Sequence, residues 1–345
     1  MLKEMIGKIV SGEDLQFQEA RQVMLQVMNG EATGAQIGSL LTALRMKGET
    51  VEEISGCAQA MREKSLSFSC RHSLLVDTCG TGGDCSGTFN VSTTAAFVVA
   101  GAGVPVAKHG NRSVSSKSGS ADLLEALGVK LDLLPGEVMS ILDRIGIGFL
   151  YAPVFHVAMK HASGPRKEIG IRSIFNILGP LTNPARANVQ VLGVYEPGLT
   201  EVMARVLERL GVKSAYVVHG DGGLDEISNT GPTKVSCLNN GSIKTFYIHP
   251  EELGFTRATL RQLQGGDARE NAGITRRVLS GEKGPHRDIV LLNAAAALAA
   301  SGVVRDLPEG VRAAGESIDS GKALEKLEQL VAATGGTGSA APLPC

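Results

Sequence analysis

The sequence predicts an α/β protein: a small all-helical N-terminal domain, then a larger α/β domain whose mainly parallel central sheet is flanked by helices. Three observations predict it. Up to about residue 66 the chain carries only helical periodicity. From Leu74 onward, short β-rich runs alternate with helical segments, the pattern of a parallel sheet. The first run, Leu74-Leu75-Val76, ends in a glycine-rich stretch from Asp77 to Asp84 that opens, through Thr88 and Asn90, into the helix-like Thr94–Ala100. At 345 residues the chain exceeds the usual single-domain size, which suits two lobes.

In the first lobe, Asp14 is placed to cap a helix running to Asn29-Gly30. Thr33 with Gln36 and Thr50 with Glu53 have capping-box spacing, and Gly48 closes the helix between them. Ile37, Leu40, Leu41 and Leu44 recur at helical spacing, so this lobe buries an amphipathic stripe and carries no evident chemistry. Self-association is one outlet for such a lobe.

Beyond it, strands are expected over 74–76, 104–107, 189–194 and 215–218, and helices over 93–102, 119–127, 199–210 and 288–300. Residues 151–184 read as helical and broken by Gly and Pro, with a stretch near 165–184 returning to the first lobe. The expected division is 1–68 helical, 69–164 with 185–333 α/β, and a low-complexity, disordered tail over 334–345.

Composition narrows the function. A formal net charge of -1 argues against a nucleic-acid binder, so any anion site must be local. With 43% hydrophobic and 20% charged residues, the chain reads as an ordinary globular protein. None of its 6 cysteines forms a Cys-x-x-Cys pair, which points to reduced thiols and a cytoplasmic location. The run 289–300 is too short to span a bilayer, and Met1–Ile6 lacks the apolar core of a leader.

Three stretches carry chemistry. In the first loop Gly80, Gly82, Gly83 and Gly87 can turn N–H groups toward a phosphate or pyrophosphate at a helix N-terminus. Asp84, Asn90, Ser92 and Thr93 add polar groups able to hold a metal or hydroxyls; the alternative is a turn that merely needs glycine. The second stretch, Lys108 to Ser120, follows the second strand and reads as another anion loop. Lys108 and Arg112 can meet phosphate while serine hydroxyls donate, unless it is simply a solvated loop. The third, Asp225-Glu226 after the strand at 215–218, can coordinate Mg²⁺ together with substrate phosphates, or is a solvated acidic turn.

Taken with Asn176-Ile177-Leu178-Gly179-Pro180-Leu181-Thr182-Asn183-Pro184, these motifs resemble the anthranilate phosphoribosyltransferase family from the N-terminus to about Leu330. The resemblance implies transfer of a 5-phosphoribosyl group from phosphoribosyl pyrophosphate to the anthranilate amine, in tryptophan biosynthesis. It implies a phosphoribosyl pyrophosphate site of Gly82, Gly83, Asp84, Thr88, Asn90, Val91, Ser92 and Thr93, completed by Lys108, His109, Gly110, Asn111, Arg112, Ser113, Val114, Ser115, Ser116 and Ser120. Ser92, Asp225 and Glu226 would hold Mg²⁺, and Lys108 would stabilise the leaving group. Gly80, Asn111 and Arg166 would contact anthranilate, with His109, His156 and Pro180 shaping its channel. No proton-transfer residue is assigned, since an aromatic amine is unprotonated at neutral pH. The family is also expected to be dimeric through the helical domain, with neither nucleic acid nor membrane as partner. Pyrimidine nucleoside phosphorylases share the loops but have less need of Asp225-Glu226, and a nucleotide-sensing module would gain nothing from Arg166.

Overall fold

Local capping chemistry sets the N-terminal helices. In the computed structural model, which describes residues 1–66, 70–84, 86–113 and 117–336, they are α1 (Leu2–Val10), α2 (Phe17–Met28), α3 (Gly34–Lys47) and α4 (Val51–Lys64). Thr33 and Thr50 form the expected capping boxes, and Gly48 ends α3 at φ 90. The expected cap at Asp14 is not formed. Gln16 and Glu19 box the start of α2 instead, because Asp14 pairs with Lys47 at 2.6 Å. Lys47 also pairs with the fully buried Glu53 at 2.9 Å.

A parallel sheet follows. β1 (Val76–Gly80), α5 (Val91–Gly101), β2 (Val106–Gly110), α6 (Ser120–Ala126), α7 (Pro135–Ile145) and β3 (Ile147–Tyr151) build one half. The chain then passes through α8 (Ala152–Phe155), α9 (Lys160–Ile169) and α10 (Phe175–Leu178). Of these, Ala162 of α9 and Phe175 and Leu178 of α10 join the core that holds Val23, Leu40 and Ile54 of the N-terminal helices. β4 (Val189–Gly193), α11 (Leu199–Arg209), β5 (Ser214–Gly220), β6 (Thr233–Asn239) and β7 (Ser242–Ile248) complete the sheet. Helices α12 (Ala268–Leu279), α13 (Pro285–Ser301), α14 (Leu307–Asp319) and α15 (Lys322–Ala333) close the chain.

The 7-stranded order is β3-β2-β1-β4-β5-β6-β7. Strands β3 through β5 run parallel, and β6 and β7 add an antiparallel hairpin. The order reverses between β1 and β4, whose ends Gly80 and Gly193 are register partners. Such a reversal opens a crevice at the strands' carboxyl ends. One face of the sheet is covered by α5, α13 and their neighbours, whose apolar residues form one core. The other packs on α11 and, through it, on the helical domain. Arg62 of α4 pins that junction. Its buried guanidinium donates to Leu181 O at 2.6 Å and Leu210 O at 2.9 Å, and burial pulls its pKa down to about 10.

Several expectations need correction. Strands β3, β6 and β7 and helices α7, α12, α14 and α15 lie outside the runs expected from sequence. Lys108, His109 and Gly110 are not loop residues but the second half of β2, extended there by pairing with Phe149, Leu150 and Tyr151 of β3. Arg166 lies in the last turn of α9, with Pro165 inside that helix. Thr334, assigned to the tail, is docked: its hydroxyl accepts from Lys130 N at 3.2 Å and donates to Val331 O at 3.0 Å. Residues 337–345 of the expected tail lie outside the described residues.

Candidate active site

The crevice at the ends of β1 and β4 is shaped by close approach of backbone to one carboxylate. A Cβ on Gly80 would lie 2.3 Å from Asp225 Oδ2, and one on Gly193 would lie 1.5 Å from Asp225 O. Glycine at both strand ends therefore lets the turn after β5 fold down onto the sheet. From there Asp225 Oδ2 accepts Gly82 N at 2.8 Å, and Glu226 Oε1 accepts Ser92 N at 3.0 Å. The acidic pair thus meets the glycine loop and the first turn of α5.

Both carboxylates are costly where they stand. Burial, then the neighbouring Asp84, pushes Asp225 up to about 6, and burial, then Asp225 itself, pushes Glu226 up to about 8. Their hydrogen bonds come from backbone N–H groups, and among the described residues no cationic side chain forms an ion pair with either. Oxygen donors of this kind fit a hard divalent ion such as Mg²⁺, which takes one or two carboxylates and completes its shell with water and phosphate oxygens. Ser92, the third expected ligand, is beside Glu226, and its carbonyl accepts from Thr78 Oγ1 at 2.9 Å.

Lys108 lies beneath them rather than on the surface. It is only 4% exposed, donates from Nζ to Thr78 O, and has its pKa lowered by burial despite Asp77, Glu226 and Asp225 nearby. Asp77, fully buried on β1 and not foreseen, is raised to about 6 by burial. Its carboxylate accepts from Asn183 Nδ2 at 2.8 Å and from His109 N at 3.2 Å. The one local pointer to that tie was Asn183, in the stretch from Asn176 to Pro184.

The other residues expected at the phosphate site divide by what they touch. Gly82 and Gly83 hold φ of +66 and +75, which glycine adopts without strain. Asp84 accepts from the Ser86 hydroxyl and amide inside the loop, and Thr88 bridges to Gln264. Asn90 flanks α5, with Val91, Ser92 and Thr93 forming its first turn. The Asn90 side chain donates to Ser118 O at 3.0 Å and accepts from Asn271 Nδ2 at 2.9 Å, so it braces loops rather than pointing free. Arg112, read as a phosphate contact, is committed to Asp122 at 3.0 Å and Glu125 at 2.8 Å on α6, and those carboxylates raise its pKa. Ser113 N donates to Asp122 at 2.9 Å, Ser120 Oγ donates to Asn111 O at 3.3 Å, and Gly110 abuts Ser120. Val114, Ser115 and Ser116 lie outside the described residues.

A buried histidine pair adjoins through β2. The His109 and His156 rings are 5.1 Å apart, each with a buried Nε2 that has no hydrogen-bond partner among the described residues. Burial lowers both, His109 well below the ordinary range and His156 to about 4, so both rings are neutral at pH 7. Pro180 is buried, and its carbonyl accepts Gln190 Nε2 at 2.7 Å. Arg166 lies 5.8 Å over the Phe175 ring, with burial lowering its pKa. The sequence reading missed Arg172, whose Nη2 donates to Gly83 O at 2.7 Å.

A helical bundle joined to an α/β domain, with a glycine loop and buried carboxylates at the sheet reversal, defines a class of group-transfer enzyme. Residues 3–65 match the model described as "Glycosyl transferase family, helical bundle domain", and residues 72–324 match "Glycosyl transferase family, a/b domain". The anthranilate phosphoribosyltransferase of Moorella thermoacetica is 58% identical over 332 residues, covering 96% of this chain and 98% of that one. That of Syntrophobacter fumaroxidans is 59% identical over 331 residues, with 96% and 98% covered. The crystal structure of the Thermus thermophilus enzyme superposes with a TM-score of 0.91 at 46% identity, covering 95% of this chain and 98% of its own. The Saccharomyces cerevisiae enzyme in complex with PRPP and Mg gives 0.89 at 32% identity, covering 97% and 98%. The chain belongs to the anthranilate phosphoribosyltransferase family.

Proposed function

We propose that this chain transfers the 5-phosphoribosyl group of phosphoribosyl pyrophosphate to the amine of anthranilate, giving N-(5-phosphoribosyl)anthranilate and pyrophosphate. The observation that carries the reading is the meeting of Asp225 with Gly82 N and of Glu226 with Ser92 N, which joins a cation site to a phosphate loop. Mg²⁺, when bound by Asp225, Glu226 and Ser92, supplies positive charge for the departing pyrophosphate. The chain contributes to the same end through the N-terminus of α5, whose helix dipole favours phosphate charge beside the glycine loop. Lys108, held by Thr78 O, adds a fixed positive charge under the same crevice.

The buried cluster of His109, His156 and Pro180 suits a flat aromatic acceptor. Its neutral imidazoles offer polar edges without a competing charge, and the half-buried Arg166 offers a fork for the acceptor's carboxylate. Holding the amine against the sugar carbon supplies much of the remaining acceleration. A cytoplasmic homodimer paired through α1–α4 accords with this reading. No helix among the described residues is long and apolar enough to cross a membrane. The test is direct. With phosphoribosyl pyrophosphate and Mg²⁺ present, anthranilate fluorescence should decay and pyrophosphate should appear in equal amount. Phosphorolysis of a pyrimidine nucleoside without anthranilate turnover would instead identify a nucleoside phosphorylase.

A further inference from the structure

The glycine loop is held at three successive residues. From the sheet side, Thr81 N donates to Gly193 O at 2.9 Å and Gly82 N to Asp225 Oδ2 at 2.8 Å. The third hold comes from Arg172, in the short connection between Gly170, the left-handed cap of α9, and α10. Its guanidinium lies 3.8 Å from the centroid of the Tyr195 ring, and its Nη2 donates to Gly83 O at 2.7 Å. Tyr195 is itself tied to the loop, since its N–H donates to Thr81 Oγ1 at 3.3 Å. The fit at Gly83 is tight: a Cβ there would come within 1.8 Å of Arg172 Nη2. Gly83 is therefore glycine for the arginine's approach as well as for its positive φ, whereas a Cβ on Gly82 would meet nothing within 4 Å among the described residues.

We propose that Arg172 is a positioning residue that clamps the glycine loop from the α9–α10 connection, so that the loop is pre-ordered for phosphoribosyl pyrophosphate. The proposal rests on the reading above that this loop binds that substrate. Arginine suits the role because a planar guanidinium can stack on an aromatic face and still donate in its own plane, which an ammonium cannot. A loop ordered before the ligand arrives spares the binding step the entropy of ordering it. The clamp also links the two halves of the site. The connection that carries Arg172 is continuous with α9, which carries Arg166, and with Phe175, over which Arg166 lies.

The test compares Arg172→Met, Arg172→Lys, Tyr195→Leu and Tyr195→Phe with the full-length parent. Amide hydrogen exchange at residues 82–84, measured without ligand, should quicken severalfold in Arg172→Met and Tyr195→Leu. Mg²⁺–phosphoribosyl pyrophosphate binding, by calorimetry, should weaken about tenfold in Arg172→Met, the worth of one charged hydrogen bond. Its KM should follow, while kcat and the KM for anthranilate stay within about twofold. Arg172→Lys should recover part of the loss, and Tyr195→Phe should match the parent, since the stacking face remains. Weakened binding with unchanged loop exchange would overturn the proposal, because the guanidinium would then touch the ligand itself. Unchanged exchange with unchanged affinity would overturn it as well. If the parent binds no phosphoribosyl pyrophosphate but Arg172→Met still loosens the loop, the functional reading fails and the clamp stands.

Discussion

Replacing Arg166 with Ala separates the two substrates. Its guanidinium is half-buried over Phe175, with burial alone lowering its pKa and no ion-pair partner among the described residues. A partly desolvated cation without a carboxylate suits a ligand's carboxylate, and anthranilate carries one beside its amine. Hydrogen bonds to charged groups are worth about 1.5–3 kcal/mol, which corresponds to roughly a 10- to 150-fold change in apparent affinity. Arg166→Ala should therefore raise the KM for anthranilate by about one to two orders of magnitude, followed through anthranilate fluorescence at saturating phosphoribosyl pyrophosphate. The KM for phosphoribosyl pyrophosphate should move less than about twofold, because neither Asp225 nor the glycine loop is touched. Arg166→Lys should recover only part, since an ammonium cannot make the bidentate contact. An Arg166 that served only as a surface cation would change stability within about 0.5 kcal/mol and alter no kinetics. Weaker phosphoribosyl pyrophosphate binding with anthranilate spared would refute the division of the site.

The acidic pair, the buried histidine and the domain junction give further outcomes. Asp225→Asn with Glu226→Gln should collapse turnover and recover only partly at high Mg²⁺; full activity in a chelator would remove the metal assignment. His156 has its pKa lowered to about 4 from an ordinary 6.5, so the unfolded chain binds a proton that the folded one refuses between those values. The stability this contributes is complete above pH 6.5 and is lost as pH falls through about 4, a loss of about 3 kcal/mol for His156 taken alone. His156→Phe should flatten that acid limb, read as urea midpoints at pH 7 and pH 4.5. Arg62→Met should cost about 2–5 kcal/mol by leaving the carbonyls of Leu181 and Leu210 without a donor, measured by denaturant unfolding. Deleting 337–345, rich in Gly, Ala and Pro, should leave Tm and turnover nearly unchanged, whereas cutting before Thr334 should lower Tm through loss of its bonds to Lys130 and Val331.

What the chain's sequence determined by itself was everything set by neighbours along the chain. The Thr33 and Thr50 boxes, the Gly48 stop and the strand-loop-helix around Gly80 to Thr93 need only a few adjacent residues, so their signals survive without tertiary contacts. The β6–β7 hairpin was legible too. Asn240-Gly241, with φ 45 and 83, is the dipeptide a tight hairpin turn demands, and the alternation on either side went unread. Tertiary structure decided the rest. Lys108 follows an apolar run and looks like the start of a loop; pairing of β2 with β3 keeps it in the sheet and turns its ammonium inward to Thr78 O. Asp14 has the chemistry of a cap, yet its carboxylate is taken by Lys47. Arg112 reads as a phosphate cation until α6 folds Asp122 and Glu125 against it, while Arg172 reads as one more surface charge until β4 delivers Tyr195 beneath it. A side chain's partner across the fold is fixed by sheet order and helix packing, and neither is written in the residues beside it.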